Sequence, residues 1–225
     1  MVSTWDQYWH NEHQLSPNSA HESVGRVING EPVANSVWIR TVEKVSRYLG
    51  VSERSSFLDL CGGNGLLSSQ LPITPKFVVC ADLNHGLLNQ IQVNGISKVQ
   101  LDVRNLPFGK SSFTAIAVYA ALQYLTEAES LELFEDLHRM LANDGKVFIG
   151  DIPDYESRMR YFSLDDRIAR YFNSIKLGRP MIGTWFQRDW IAHALHQAGF
   201  SKVSVLEQSD WEPYADFRFD VVAER

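Results

Sequence analysis

Hydrophobic and polar positions along the chain change period several times, and the changes outline an alternation of helices and strands. Trp38, Val42, Val45 and Leu49 recur at helical spacing, and Gly50 follows as a C′ glycine that ends the helix. Five short, nearly continuous apolar runs come next, at residues 57–60, 77–82, 99–102, 115–119 and 146–149. Runs this apolar, separated by helical patterns, are what the strands of a parallel sheet covered on both faces look like. A helix between the fourth and fifth runs is marked by the capping-box pair Thr126 and Glu129, then by Leu133, Phe134, Leu137 and Leu141. Asn143-Asp144-Gly145 reads as the turn into the fifth strand. Residues 189–198 form another amphipathic helix, with Trp190, Ile191, Ala194 and Leu195 inward. Residues 202–206 and 217–223 then read as two strands with no helix between them, hence as an antiparallel pair. The pattern predicts an α/β fold: a seven-stranded, mostly parallel sheet, helices on both faces, and an antiparallel C-terminal strand pair.

The first 37 residues and the stretch 155–188 do not follow this alternation. The former is polar, broken by Pro17, Gly25, Gly30 and Pro32, with Trp5, Tyr8 and Trp9 set in it. Within a single domain over residues 1–225, 1–37 reads as an N-terminal cap and 155–188 as an insert over the sheet's carboxyl edge. A net charge of −6 argues against a nucleic-acid partner, because gripping a phosphate backbone takes an excess of cations. The two cysteines, Cys61 and Cys80, are too few for a disulfide framework and suit a reducing compartment. The opening residues lack a basic stretch followed by an apolar run, and the longest uncharged stretch near the middle, 111–126, is interrupted by Ser, Thr and Gln, so neither a secretory leader nor a membrane span is expected. A cytoplasmic protein is expected, and the sequence leaves monomer and homodimer open.

The chemistry is concentrated in Phe57-Leu58-Asp59-Leu60-Cys61-Gly62-Gly63-Asn64-Gly65. A strand runs into a glycine turn, with a helix expected to begin near Leu66. Missing side chains let the backbone approach a ligand, and a helix N-terminus offers free N–H groups. Two acids strengthen the pattern. Asp82 ends the second strand, where a carboxylate can accept both hydroxyls of a ribose, and Asp102 ends the third, within reach of a purine's exocyclic amine.

In these residues the chain resembles the class I S-adenosylmethionine (SAM) dependent methyltransferases, whose fold is Rossmann-like. Asp59, Gly63 and Gly65 match that family's first motif, and Cys61 stands where its first glycine stands. The resemblance implies SAM as cofactor, S-adenosylhomocysteine as product, Asp82 on the ribose and Asp102 on the adenine amine. It extends the expected cofactor set to Cys61, Asn64, Leu83, Val103 and Tyr119. The stretch from Phe113 to Tyr124 resembles the family's fourth motif, with Thr114 where an acid is common and Gln123-Tyr124 where histidines often stand. Gly150-Asp151-Ile152-Pro153-Asp154, with the ending from Tyr214 to Val222, is similar to bacterial enzymes of surface-sugar synthesis. Two other readings stand beside this one. A nicotinamide dinucleotide oxidoreductase is suggested by Gly63-Asn64-Gly65-Leu66-Leu67-Ser68, which departs from its glycine fingerprint at Ser68. A SAM-binding module without catalysis is the other.

Methyl transfer mainly requires aligning acceptor, methyl and sulfur and keeping water out. In open α/β sheets ligands lie beyond the strands' carboxyl ends, which selects Tyr119, Tyr124, Asp151 and Asp154. Asp151, as a general base, and Tyr124 are the catalytic candidates, while Asp154 serves equally well as a turn or helix cap. From position alone, Arg26, Tyr8 and Trp9 are expected over the cofactor. His10-Asn11-Glu12-His13 lacks the helical spacing of a zinc motif and reads as polar surface, as do His193 and His196; no metal is expected. His138, near a helix end, is expected to complement the helix dipole. Residues 155–188 carry Arg158, Arg160, Arg167, Arg170, Lys176, Arg179 and Arg188 against Glu156, Asp165 and Asp166, interleaved with aromatics. They read either as a helix with a solvated charged face or as a lid. A lid's cations, Arg158 and Arg160 among them, would draw in a small-molecule acceptor of anionic or sugar type.

Overall fold

The computed structural model describes residues 19–163, 165–178 and 182–225. In chain order these form a short helix α1 (Ala20–Ser23), a small hairpin β1 (Val27–Ile28) and β2 (Glu31–Pro32), and helix α2 (Asn35–Leu49). Strands β3 (Ser56–Leu60), β4 (Phe77–Asp82), β5 (Ile96–Gln100) and β6 (Phe113–Tyr119) follow, with the short helix α3 (His85–Asn89) after β4. Then come α4 (Glu127–Met140), β7 (Leu141–Pro153), α5 (Arg158–Phe162), α6 (Asp165–Lys176), α7 (Arg188–Gln197), β8 (Lys202–Glu207) and β9 (Arg218–Glu224).

Strands β3 to β9 build one seven-stranded sheet in the order β5-β4-β3-β6-β7-β9-β8. Only β9 runs against the others, and it lies between β7 and β8. The period-2 alternation of side chains sorts the strand residues onto two faces. Leu58, Leu60, Ile116, Val118, Val147 and Ile149 pack with Leu133, Phe134 and Leu137 of α4 and Ile191 and Leu195 of α7. Phe57, Ala115, Ala117, Phe148 and Val222 pack on the other side with Trp38, Val42, Val45 and Leu49 of α2. The expected two-faced sheet and its antiparallel ending are therefore present. Chain connections diverge where β3 and β6 lie side by side, and in such sheets the crevice beyond the carboxyl ends at that point receives ligands.

Four local expectations are corrected. No α-helix starts at Leu66; the chain makes turns and a single 3-10 turn at Ser68–Gln70 before β4. Pro72 and Pro75 leave too few residues there to pay for helix nucleation. The third strand ends at Gln100, so Asp102 lies in the turn beyond it, and Asn143-Asp144-Gly145 is an irregularity within β7 rather than a separate turn. The β1–β2 hairpin, with only two residue pairs, was too short to leave an alternating pattern. His138 packs edge-on against Phe200, and burial with nearby Arg225 holds its pKa below the usual histidine value, so it adds no positive charge to the helix end near neutral pH. The capping box is as expected: the Thr126 hydroxyl accepts from Glu129 N, and Glu129 Oε2 accepts from Thr126 N at 2.7 Å. Among the described residues no helix is long and apolar enough to cross a membrane, and no three His, Cys, Asp or Glu gather as a metal site.

Candidate active site

At the carboxyl side of β3, β6 and β7 stand three non-glycine residues in the left-handed backbone region: Cys61 (φ 59°), Ala120 (φ 54°) and Asp151 (φ 61°). Each such residue costs on the order of 1–3 kcal/mol, a strain found where a ligand site needs the chain re-aimed. Asp151 sits on an irregularity of the β7–β9 pairing between Ile149 and Ile152, which turns its side chain out of the ladder. All three line one cavity of about 590 Å³, a size usual for small-molecule sites.

One end of the cavity is built by the glycine turn and the acids. Asp82 accepts the N–H of Gly63 on one carboxylate oxygen and that of Asn84 on the other, both at 2.8 Å. The acid at the end of β4 thus clamps the turn at the end of β3. Gly63 must be glycine twice over: its φ is +57°, and a Cβ there would lie 2.8 Å from Val24. Asp59 is buried beneath the turn and accepts from Ser68 N at 3.1 Å. Burial, reinforced by Asp82, outweighs the Ser68 hydrogen bonds and raises its pKa to about 6. Burial, with Asp82 and Asp59 nearby, also pushes the Cys61 thiol well up, so the side chain at the family's first glycine position is a neutral thiol. Asp102 receives Arg104, whose Nη2 lies 2.6 Å from Oδ2. Of the expected cofactor residues, Asp59, Cys61, Gly63, Asp82, Leu83, Asp102, Val103 and Tyr119 line this cavity. Asn64 and Gly65 do not. Asn64 donates to Ala20 O at 2.8 Å and so ties α1 to the turn, while Gly65 lies against Ile91.

The other end is basic and aromatic. Arg26, from the loop before β1, lies with its guanidinium 4.6 Å from the centre of the Tyr119 ring and 5.3 Å from that of Trp38. Its Nη1 donates to Asp151 Oδ2 at 2.7 Å. Arg218, the first residue of β9, pairs in register with Pro153 and so reaches the same edge. Its Nη1 donates to Asp151 O at 2.6 Å and to the Gln123 side chain, and lies 3.9 Å from Asp151 Oδ2. Gln208 donates to Asp151 Oδ1 and Asp220 Oδ1, and Asp220 accepts from Asp151 N and from Lys44, so the strained loop is braced from behind. Tyr161, Arg167, Tyr214, Phe217 and Tyr124 complete this end. Burial drives the Tyr119 phenol well above its usual pKa, with Asp151 adding to it, so it stays neutral.

This geometry corrects two catalytic and lid expectations. Burial opposes the charge of Asp151, but Arg218 and Arg26 together outweigh it and hold the carboxyl below the usual range. A carboxylate so paired is a weak proton acceptor, and its geometry is that of a counter-ion, not a base. Arg158 and Arg160 do not line the cavity: Arg158 stacks 4.3 Å from the Tyr155 ring centre and Arg160 donates to Asp216 O. Of the described cations in 155–188, Arg167 alone lines it. Asp154 forms a turn, accepting from Glu156 N and Ser157 Oγ and pairing with Arg188. The expectations for Tyr8, Trp9, His10, His13 and Arg179 fall outside the described residues. Sequence reasoning missed Arg218, though a signal was present. In Phe217-Arg218-Phe219, a charge stands between two aromatics on a terminal strand.

A family model for a methyltransferase domain matches residues 57–145, from β3 into the early part of β7. A malonyl-[acyl-carrier protein] O-methyltransferase of Geobacter sulfurreducens is 28% identical over 174 residues, covering 73% of this chain and 62% of the relative. A ubiquinone/menaquinone biosynthesis C-methyltransferase of Blochmanniella pennsylvanica is 33% identical over 120 residues, covering 48% of this chain and 46% of the relative. The chain thus spans less than two thirds of the length of either relative. Among solved structures, a SAM-dependent methyltransferase of Mesorhizobium loti superposes with a TM-score of 0.60 at 18% identity, covering 81% of this chain and 96% of that one. Taken with the acid-and-glycine order along β3, β4 and β5, these matches show a methyltransferase domain in this chain and support a class I SAM-dependent methyltransferase with SAM as its cofactor.

Proposed function

We propose that the protein transfers the methyl group of SAM to an anionic small-molecule acceptor held beside Tyr161 and Arg167. One observation carries this reading: the cavity is divided by charge. Asp59, Asp82 and Asp102 outnumber Arg104 at the β3–β5 end, and Arg26, Arg167 and Arg218 outnumber Asp151 and Asp216 at the β6–β9 end. The acidic end fits SAM, which when bound supplies a methyl on a positively charged sulfur. Asp82 and Asp102 would hold its ribose and adenine, with Leu83 and Val103 alongside and the Gly63 backbone close by. Tyr119 divides the two ends. In the basic end Asp151 acts as a positioning residue that fixes the guanidiniums of Arg26 and Arg218, and Tyr124 forms part of the acceptor's wall. Excluding water and setting the acceptor's direction are then the chain's main contributions to the rate. Between anionic and sugar-type acceptors, the basic lining favours the anionic one. The relatives' names pair one O- and one C-methyltransferase, so the family leaves the accepting element open. A dinucleotide oxidoreductase is not favoured by any of the matches.

Calorimetry with SAM and with NAD, followed by release of S-adenosylhomocysteine with panels of carboxylated, phosphorylated and neutral acceptors, tests the reading. SAM binding with turnover confined to anionic acceptors is expected. Binding of NAD in place of SAM overturns it, and SAM binding with no turnover in any panel supports a binding module.

A further inference from the structure

Arg218 is about nine-tenths buried, yet among the described residues no carboxylate lies within hydrogen-bond distance of it. Its Nη1 is spent on two neutral oxygens, the Gln123 side-chain carbonyl and the Asp151 backbone carbonyl. The nearest carboxylate oxygen, Asp151 Oδ2, is 3.9 Å away and is taken by Arg26 at 2.7 Å. Nε is buried with no partner among the described residues. Nη2 has no hydrogen-bond partner among the described residues and is not among the fully buried unpaired atoms, which leaves it as the open nitrogen of a cavity-lining side chain. Two guanidiniums thus share one carboxylate at this end. A buried cation without a contacting anion is costly, and the cost is relieved when a ligand brings the missing charge.

The surroundings narrow the chemistry further. Tyr161 and Tyr214 flank Phe217, with ring centres 4.5 Å and 5.9 Å from it, and the Arg218 guanidinium lies 5.7 Å from the Phe217 ring centre. Flat aromatic walls suit a flat apolar body, and a guanidinium with a free edge suits a planar carboxylate. Resting on the functional reading above, we infer that Arg218 grips the carboxylate of a flat, apolar acid and thereby selects the acceptor. The neutral anchors on Nη1 hold the guanidinium in place without neutralising it, so the gripping edge is preset before the acid arrives.

The test uses the full chain loaded with S-adenosylhomocysteine and two probes of nearly the same shape, benzoate and benzamide, at millimolar concentration in ligand-observed NMR. Benzoate should bind roughly tenfold more tightly than benzamide, as a charge-assisted hydrogen bond requires. Arg218→Gln should remove that preference while leaving the affinity for S-adenosylhomocysteine unchanged, and Arg218→Lys should keep part of it. Equal binding of the two probes, absence of benzoate binding, or an undiminished preference in Arg218→Gln overturns the inference. The wild-type probe pair decides the matter if the glutamine variant does not fold. Failure to bind SAM or S-adenosylhomocysteine would instead bring down the underlying reading.

Discussion

The buried acid of the glycine turn offers a sharp test of how this site is built. Asp59 is 1% exposed, and its pKa of about 6 compares with an ordinary value of 3.8. Because the folded value is raised, the protonated carboxyl contributes stability fully present below pH ~4 and lost as pH rises through ~6. At one pKa unit per 1.36 kcal/mol, keeping Asp59 charged costs the fold on the order of 3 kcal/mol near neutral pH. Asp59→Asn removes that cost and retains an oxygen for Ser68 N. It also adds an NH2 group to a closed space, where an unmet donor costs about 1–3 kcal/mol. The net change at pH 7.5 is therefore small and its sign depends on the amide. The difference between two pH values does not. Relative to wild type, Asp59→Asn should gain on the order of 3 kcal/mol between pH ~4 and pH ~7.5, whatever the amide's own cost. Urea denaturation of both proteins at the two pH values measures this double difference directly. A difference near zero would mean that Asp59 titrates as an ordinary acid, and the account of a charge held under the turn by burial would fail.

Other expected outcomes follow from the same contacts. Asp82→Ala should weaken SAM binding by about 1–3 kcal/mol in calorimetry, since a charged acceptor for two hydroxyls is lost; unchanged affinity would leave Asp82 only the clamp on Gly63. Asp151→Ala should lower stability by about 3–5 kcal/mol in denaturant unfolding, because Arg26 and Arg218 lose their shared counter-ion; a loss under ~1 kcal/mol would refute that role. The lowered pKa of Asp151 adds that its stabilisation is present above the ordinary carboxylate pKa and fades only as pH falls below it. Arg167→Glu should raise the acceptor's KM several-fold with SAM affinity intact, and added salt should shrink the effect; normal KM would remove this helix from acceptor binding.

The cofactor end was legible because its parts are local. Asp59, Cys61 and Gly63 lie within five residues, and Asp82 and Asp102 each stand at or just beyond the end of a strand whose apolar run is visible. Strand alternation, turn glycines and terminal acids all operate over a few residues, so pattern alone recovers them. What failed at this end also has local causes. The helix expected at Leu66 would have needed the residues that Pro72 and Pro75 take away, and Asn64 turned inward to serve α1, which no short-range pattern encodes.

At the acceptor end Tyr119, Tyr124 and Asp151 were legible as carboxyl-edge residues, but the pairing of the charges was not, for the opposite reason. Arg26 meets Asp151 across 125 residues of chain, and Arg218 meets Gln123 across 95. Neither contact leaves a periodicity or a spacing to read. Cation-rich residues 155–188 drew the attention that composition directs, yet Arg158 and Arg160 were consumed by a ring and a backbone carbonyl. Apart from Arg167, and from Arg104 beside Asp102 at the cofactor end, the cations that line the cavity stand singly next to apolar residues: Arg26 after Val24-Gly25, and Arg218 between Phe217 and Phe219. A charge that the fold buries must be compensated, and a lone one amid aromatics points to compensation supplied from far along the chain or from a ligand. Arg26 has found the former in Asp151. Arg218 only shares that carboxylate, at 3.9 Å, and for that reason the acceptor's chemistry is best sought at Arg218 rather than in the cationic helices above it.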